Sequence, residues 1–304
     1  MPKKPKAEGP ILETGYLESW LIHLRGSRKS PQTIKVYGDG VKQFLSWCAA
    51  TDTVPRLDRQ TVRSFIAELL ESGREPATAQ IRQAALRRLS AWLLDEGEID
   101  DDHLDRLPAV KVDIKVVRQL SEEECKALIQ ACAGKEFRDR RDEAIVRILL
   151  ETGMRRGELI SMTVDDIDLQ EGICIIRKGK GGKGRVVSIG PKTCLAADRY
   201  LRQRRRHRLA DSPALWLGDR GRTIGYNGFY STLMYRAELA GIEDFWPHML
   251  RNTAAARWLD RGGSEGGLMA MAGWSRREML DRYTQAASER RSIEEARGLN
   301  LGDL

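Results

Sequence analysis

Paired cysteines and histidines are scarce in this sequence of 304 residues. No two of the five cysteines have the Cys-x-x-Cys spacing that zinc sites and disulfide frameworks reuse, and only four histidines occur. We therefore expect no metal site and no disulfide framework. Each cysteine has apolar neighbours along the chain, which favours a small buried side chain over a catalytic thiol. The cysteines are Cys48, Cys125, Cys132, Cys174 and Cys194, and the histidines are His23, His103, His207 and His248.

Long apolar runs are missing as well. No stretch approaches the roughly 18 apolar residues that a membrane-spanning helix needs, and the lysine-rich start has no apolar segment behind it. The sequence therefore predicts a soluble cytoplasmic protein with no membrane partner. With 41% hydrophobic residues, the chain has enough apolar material for one large or two ordinary domains.

The charge pattern favours a polyanionic partner. The formal net charge is +7, and a cluster of acidic residues between Asp95 and Asp105 separates two parts of the chain that are each net basic. Both parts can therefore offer a basic surface, although the charge alone does not identify the polyanion.

The first hundred residues have the apolar spacing of amphipathic helices. In the last of these helices, Ile81, Ala85, Leu89 and Trp92 fall on one predicted apolar stripe. The pattern predicts a small helical bundle. Its helices are expected at 15–25, from the Ser30-Pro31 start, at 58–72 and at 78–95.

Residues 100–120 lack a sustained helical period and contain Pro108, which indicates a linker. After it, a capping box at Ser121 and Glu124 opens a region of helices that is interrupted by two strands. The overall prediction is a mainly α protein with a small β-sheet. Strands are expected at 173–176 and 186–189, and helices near 121–133, 139–151, 156 onward, 192–208, 225–239, 247–260, 264–271 and 275–286, the last with a capping box at Ser275 and Glu278.

Residues 152–159, Thr-Gly-Met-Arg-Arg-Gly-Glu-Leu, place two arginines at the junction of two helices. A planar guanidinium suits a phosphate because its donors can meet two oxygens at once. Taken alone, this segment favours an ordinary helix–helix turn with arginines on the surface over an anion site.

The glycine- and lysine-rich turn at 178–185 lies between the two predicted strands. Glycines let the backbone approach a ligand, and the lysines project from the turn, although a solvated hairpin has the same composition. The turn lacks the strand-to-helix transition of a Walker phosphate loop, so use of ATP is not indicated.

His248 and Arg251 are three residues apart at a predicted helix start, so their side chains share one face. Further on, Trp274 precedes a helix that carries Tyr283 nine residues later. A histidine or a tyrosine at such spacing is most often structural. A tyrosine nucleophile would need a base or cations nearby, because the ordinary pKa of a phenol is about 10.

Together these segments resemble the tyrosine recombinase, or phage integrase, family in order and spacing. The family pattern combines T-G-x-R-x-x-E-L, a lysine in a β-hairpin, H-x-x-R at a helix start, a histidine or tryptophan, and a tyrosine nine residues later. The resemblance covers about residues 12–290 and implies a helical core-binding bundle followed by an α+β catalytic domain. The matching residues are Arg155, Lys180, His248, Arg251, Trp274 and Tyr283.

The resemblance implies a mechanism without ATP, cofactor or metal. Arg155 and Arg251 would hold the scissile phosphate while Tyr283 attacks it and forms a 3′-phosphotyrosine. Lys180 would protonate the leaving 5′ oxygen, and His248 would accept or donate a proton. Trp274 would donate a hydrogen bond to a phosphate oxygen, and Glu158 would support the site from behind.

The resemblance also implies double-stranded DNA with inverted half-sites as the substrate, bound by four protomers on two duplexes, with a directionality factor as a possible partner. The expected organisation is a basic tail (1–11), a DNA-clamping bundle (12–105), a linker (106–117), a catalytic domain (118–287) and a tail that docks on a neighbouring protomer (288–304). No arm-binding domain is expected before the bundle. The candidate DNA contacts are Arg82, Arg87, Arg88, Lys183, Arg202 and Arg205.

The sequence departs from the family pattern at three places, one of which is Gly266-Gly267 in a stretch that is usually more apolar. Trp274 stands where many members have histidine, and Asn252 replaces a common histidine. An integrase of a phage or mobile element is the first expectation, and a chromosome-dimer-resolving recombinase or a type IB topoisomerase-like enzyme are the alternatives. A DNA-binding regulator without catalysis is disfavoured, because all six catalytic positions hold competent residues.

Overall fold

The computed structural model describes residues 9–112, 118–177, 184–218, 221–281 and 283–284. The chain divides into two compact units, Met1–Ile114 and Lys115–Leu304. It is mainly helical with one small antiparallel sheet, which confirms the predicted fold class. None of the helices within the described ranges is long and apolar enough to cross a membrane.

The first unit is a bundle of helices with well-formed starts. The Ser30 hydroxyl accepts a hydrogen bond from the Thr33 backbone N–H, and the Asp58 carboxylate accepts one from Thr61. Such caps satisfy amide donors that have no partner inside the helix. The helices are α1 (Thr14–Gly26), α2 (Pro31–Ala50), α3 (Arg59–Glu71) and α4 (Pro76–Asp95).

Apolar side chains fill the core of this first unit, including Trp20, Phe44 and Phe65. The prediction for Ile81 is wrong, because its side chain is 43% exposed. The buried face of α4 is centred on residues such as Leu86 and Leu93, and Ile81 lies at its margin. Leu107, which the sequence pattern assigns to the linker, is buried in the same core.

The second unit contains a three-stranded sheet in the order β1-β2-β3. In the antiparallel β2–β3 pair, Cys174 lies opposite Val187, and both side chains are buried. The short strand β1 was not predicted, because two residues carry no alternation. The elements are α5 (Glu122–Gln130), α6 (Phe137–Thr152), α7 (Arg156–Ile160), β1 (Ile167–Asp168), β2 (Ile173–Ile176), β3 (Arg185–Ser188), α8 (Pro191–Arg204), α9 (Tyr226–Leu239), α10 (His248–Asp260) and α11 (Glu265–Ala272).

Helix α6 is the central element of this unit and packs against α8 and α10. Apolar residues on several of its faces are fully buried, including Ile145, Val146 and Ile148. A helix that is buried around its circumference has a fixed position and direction. The end of α6 is therefore a rigid support for the arginine segment that follows it.

Two predicted boundaries in the second unit are wrong. Helix α8 ends at Arg204 rather than near residue 208, and the last described helix begins at residue 278 rather than directly after Ser275. There the amides of Met279 and Leu280 bond to the carbonyls of Arg276 and Arg277, so tight three-residue turns precede the helix. We call the helical residues 278–281 and 283–284 the Tyr283 helix.

The cysteines lie in the two cores or at their edges, and Cys194 alone is only partly buried. Burial raises the pKa of Cys48 and Cys125 to about 11 and that of Cys132 and Cys174 to about 12. These four thiols therefore stay protonated near neutral pH and are poor nucleophiles.

Candidate active site

The first site segment follows the end of α6. Gly153 has a φ of +57°, and a Cβ at this position would lie 3.1 Å from the Cβ of Ala254. Glycine thus allows both the left-handed turn and the close approach of α10. The turn places Arg155 directly before α7.

Glu158 is buried and accepts hydrogen bonds from two arginines. Arg155 donates to it from its backbone N–H at 2.8 Å and from Nη1 at 2.8 Å, and Arg185 donates from Nη1 at 3.0 Å and from Nη2 at 2.7 Å. Burial alone would raise the pKa of Glu158, but the hydrogen bonds and charges of Arg185 and Arg155 lower it below the ordinary value. The carboxylate therefore stays ionised and holds both guanidiniums.

Arg185 was missed by the sequence analysis, which assigned the hairpin's role to its lysines. This arginine opens β3, and its Nε donates to the carbonyl oxygen of Met271 at 2.7 Å. The only sequence signal was its position as the last cation of the 178–185 turn. Its partner Glu158 lies 27 residues earlier, and only the folded hairpin brings them together.

Three arginines converge on consecutive carbonyls at the end of α11. Arg185 donates to Met271, Arg251 Nη2 to Ala272 at 2.8 Å, and Arg155 Nη2 to Gly273 at 3.0 Å. The last carbonyls of a helix have no partner within it and carry partial negative charge, so cations stabilise them.

Gly273 makes this convergence possible. Its φ is +61°, and a Cβ there would lie 2.9 Å from Nη1 of Arg185 and 3.4 Å from Nη1 of Arg155. A larger residue would be strained in its backbone and would also displace the guanidiniums.

Arg251 lies one turn after His248 on α10 and is almost fully buried. Its Nη1 donates to the Gly153 carbonyl at 2.5 Å. Burial lowers the pKa of Arg251 to about 10, and the positive charge of Arg155 adds to the effect. An anion bound beside Arg251 would favour its charged form.

Trp274 stacks on Tyr283, with ring centres 5.1 Å apart and planes inclined by 18°. The Arg251 guanidinium carbon lies 5.4 Å from the centre of the Trp274 ring. The indole Nε1–H of Trp274 is buried and has no hydrogen-bond acceptor in the described part of the chain. An unsatisfied buried donor is unfavourable, so this group is suited to meet a ligand oxygen.

The Tyr283 hydroxyl lies 2.7 Å from Oδ1 of Asn252, which is also buried. The phenol is the donor in this contact, because an amide oxygen can only accept. Asn252 occupies the position where the family pattern commonly has histidine. It therefore holds the hydroxyl in this conformation but cannot take its proton.

One cavity of about 570 Å³ collects the predicted catalytic residues. Arg155, His248, Arg251, Trp274 and Tyr283 all line it. Lys180 and Lys183 lie outside the described residues. Among those that are described, no group of three or more metal-ligating side chains is placed to hold an ion.

The DNA-contact candidates of the first unit lie on α4. The Nη1 of Arg82 donates to the Val36 carbonyl at 3.0 Å, so part of this half-buried side chain packs between α2 and α4. Arg88 is exposed and lies over the Tyr37 ring at 5.3 Å, and Arg87 is half-buried.

The candidates of the second unit lie at the end of α8. Arg202 is exposed and pairs with Asp198 at 3.0 Å, and Arg205 is exposed. Arg204, within the same basic run, is instead buried and donates to backbone carbonyls between Ala210 and Leu215. Its role is to hold that loop.

Comparisons with known proteins agree with this geometry. The profile described as "Phage integrase family" matches residues 118–290, and "Phage integrase, N-terminal SAM-like domain" matches residues 17–97. Tyrosine recombinase XerC of Roseiflexus sp. (strain RS-1) is 30% identical over 254 residues, which cover 81% of each chain.

Solved structures have the same fold. A XerH recombinase bound to palindromic difH DNA in a post-cleavage complex has a TM-score of 0.75 at 19% identity, covering 93% of this chain and 84% of the other. A lambda integrase tetramer bound to a Holliday junction has a TM-score of 0.64 at 14% identity, covering 86% and 77%. With the profile match over more than half its length, this chain belongs to the phage integrase family and is a tyrosine-type site-specific recombinase that cleaves and rejoins DNA.

Proposed function

We propose that Tyr283 is the nucleophile of this recombinase and that its hydroxyl attacks a DNA phosphate held by Arg155 and Arg251. The observation that carries the proposal is the single cavity that these residues share with His248 and Trp274. Attack breaks the bond from phosphorus to the 5′ oxygen and forms a 3′-phosphotyrosine. Reversal by a free 5′ hydroxyl rejoins the strand, and the bond energy is kept without ATP.

The charge balance around Arg155 and Arg251, which line the cavity, supports a phosphate ligand. Glu158 accepts hydrogen bonds from Arg155 and Arg185. Its charge also acts on Arg251, which makes no ion pair with a carboxylate among the described residues, so three guanidiniums face one carboxylate charge. Arg155 and Arg251 each use donors on backbone carbonyls, which fixes their orientation before DNA binds. Such preorganised cations stabilise the charge that develops on the phosphate oxygens.

Trp274 supplies a further donor in this proposal. Its Nε1–H is buried and would donate to a non-bridging phosphate oxygen. Its ring would also keep Tyr283 in a stacked position beside Arg251.

Proton transfer requires Tyr283 to leave Asn252, because the amide cannot accept a proton. We propose His248 as the acceptor, since it lines the same cavity, and Lys180 as the donor to the leaving 5′ oxygen. We place the reaction in the cytoplasm, where the enzyme would meet its DNA.

The test is covalent trapping on a nicked DNA substrate. After cleavage, the short fragment that carries the free 5′ hydroxyl dissociates, so the strand cannot be rejoined. Tyr283→Phe should bind this DNA but form no protein–DNA adduct on a denaturing gel. Tyr235→Phe removes an exposed hydroxyl from α9 and serves as the matched control. An adduct with Tyr283→Phe would overturn the assignment of the nucleophile.

We further propose that four copies act on two duplexes, each with two inverted half-sites. The lambda integrase structure is described as a tetramer on a Holliday junction, which supports this assembly. A second cavity, of about 750 Å³, would receive the tail of a neighbouring copy. It is lined by apolar residues, including Leu150, Trp258 and Met271, and by Arg257 and Arg261.

The tail sequence complements that cavity. Residues 288–299 contain three glutamates and three arginines. Glu294 and Glu295 directly follow Ile293, which forms an apolar stripe with Ala296 and Leu299. Opposite charges at the rim and apolar contacts at the centre are the usual composition of such an interface.

Charge exchange tests tail docking. Arg257→Glu with Arg261→Glu should impair assembly and strand exchange, and so should Glu294→Arg with Glu295→Arg. A mixture of the two variants should partly recover assembly and strand exchange. Contacts between unlike variants, about half of all contacts in a random mixture, again pair opposite charges. No restoration on mixing would contradict docking between copies, as would a fully active chain truncated before Ser288.

The named relatives favour one of the alternative functions. The XerC recombinases among them support resolution of chromosome dimers. A resolving enzyme recombines two copies of one site, whereas an integrase joins two different sites. DNA sites selected from a random pool should therefore be tested as identical pairs, and recombination between them would favour the resolving enzyme. If the recombined products do not revert, a directionality factor is indicated.

A further inference from the structure

Arg156 and Tyr226 form a pair at the edge of the catalytic cavity. Arg156 is the first residue of α7 and follows Arg155 directly, while Tyr226 is the first residue of α9. The guanidinium carbon of Arg156 lies 4.2 Å from the centre of the Tyr226 ring, and both residues line the cavity. This pair belongs to none of the catalytic roles assigned above.

Gly157 leaves the space that this pair requires. A Cβ at position 157 would lie 2.7 Å from the Tyr226 hydroxyl oxygen. Any side chain there would displace the phenol from beneath the guanidinium. The contact therefore depends on residues from two separate elements and is not an accident of one flexible side chain.

The positive charge of Arg156 is not balanced by a carboxylate within the described structure. Arg156 is exposed, and no ion pair joins it to a carboxylate in the residues described, whereas Arg155 is held by Glu158. Stacking on a ring orients a guanidinium while leaving its N–H donors available at the edge of the plane. An oriented, unpaired cation is suited to bind an oxyanion.

The rim beside this pair is aromatic. Tyr226, Tyr230 and Trp246 are 53%, 45% and 39% exposed, respectively, and all three line the cavity. Large exposed aromatic groups beside a cationic site form a surface suited to a ligand with both charged and apolar parts. The phosphates and deoxyriboses of a DNA strand have this character.

We propose that Arg156, held by Tyr226, binds the phosphate adjacent to the scissile phosphate on the cleaved strand. The two arginines are consecutive, so a strand with one phosphate at Arg155 has its neighbour within reach of Arg156. This contact would set the register of the strand over Tyr283 without reading a base.

The salt dependence of DNA binding measures the proposed contact between Arg156 and a phosphate. Binding of full-length protein to a half-site duplex should lose affinity by about tenfold in Arg156→Ala. The slope of log K against log salt should fall by about 0.9, the value for one lost phosphate contact. Lys126→Ala, which removes an exposed cation from α5, should leave the slope unchanged. Tyr226→Leu should also weaken binding, and Tyr226→Phe, which restores the ring, should recover most of the loss.

Neutral methylphosphonate groups, introduced into the DNA in place of single phosphates, identify the phosphate that Arg156 contacts. Replacing phosphates singly around the cleavage point should weaken wild-type binding at several positions. At one position next to the scissile phosphate, the replacement should have no further effect in Arg156→Ala, because both changes remove the same contact. Additive losses at every position, or a wild-type salt slope in Arg156→Ala, would overturn the proposal. Covalent adduct formation by Tyr283 is scored separately, so this result and the nucleophile assignment can fail independently.

Discussion

Two buried arginine networks in the second unit use the same residue types but differ in charge balance. In the first, Arg236 donates to Asp142 at 2.8 Å and to Asp139 at 2.9 Å, and Arg141 donates to Asp142 at 2.9 Å. Two guanidiniums thus meet two carboxylates. We call this set the balanced network, and no residue in it lines the catalytic cavity.

The second network joins Arg155 and Arg185 to the carboxylate of Glu158, and joins both of them and Arg251 to the carbonyls at the end of α11. We call it the site network. Its surplus of positive charge lies against a cavity, and a buried surplus is unfavourable until an anion arrives. Charge balance, rather than the presence of buried arginines, therefore separates a structural network from a phosphate site.

The largest expected effect comes from breaking the balanced network. Asp142→Asn should reduce the free energy of unfolding by about 3–5 kcal/mol, because it removes the buried carboxylate that Arg141 and Arg236 share. Urea denaturation followed by circular dichroism measures this change. Asp139→Asn, at the less buried end of the network, should have a smaller effect. Cleavage per folded molecule should stay near the wild-type rate in both, and a selective loss of cleavage would refute the structural assignment.

Arg251→Lys should act mainly on chemistry. A lysine cannot keep the Gly153 and Ala272 contacts while it also binds a phosphate, so single-turnover cleavage should fall by about 10²–10³-fold. Arg236→Lys is the matched change in the balanced network and should alter stability instead. Equal cleavage losses in the two variants would erase the distinction between the networks.

Glu158→Gln should reduce stability by about 2 kcal/mol at neutral pH, because the charged hydrogen bonds to Arg155 and Arg185 weaken. The pKa of Glu158 is lowered in the folded state, so its stabilisation is complete above the ordinary value of 4.5 and is lost as pH falls through the lower folded value. The difference in unfolding free energy between wild type and variant should therefore shrink below pH 4.5. A gap that stays constant from pH 7 to pH 3.5 would show that the carboxylate charge is not its source.

Trp274→Phe should have the smallest effect, a roughly tenfold slower cleavage that equals the loss of about one hydrogen bond. Phenylalanine keeps the stacked ring and loses only the donor. Trp274→His, which restores a donor, should recover part of the rate. If Trp274→Phe cleaves as fast as wild type, the buried Nε1–H has no role in binding phosphate.

The two units also differ in how far their sequences could be interpreted. In the bundle, spacing predicted the helices, because amphipathic periodicity is a local property. It failed at Ile81, where the direction of the neighbouring helices decides which residues are covered. In the catalytic unit, spacing failed at Ser275, where the capping pattern is present but tight turns place the helix start at residue 278.

In the catalytic unit, motif order predicted Arg155, His248, Arg251, Trp274 and Tyr283, and the structure brings all five to one cavity. It did not predict Arg185 or the contact of Asn252 with Tyr283. Those roles depend on which residues meet across separations of 27 and 31 positions, which no local pattern records.

Local sequence specified most helix starts and the order of the motifs, because caps, glycine turns and apolar spacing act over a few neighbouring residues. Tertiary packing brings two guanidiniums to Glu158, gathers three at the end of α11 and stacks Arg156 on Tyr226. The physical reason is that Coulomb interactions and desolvation depend on distance in space and on burial, and packing sets both.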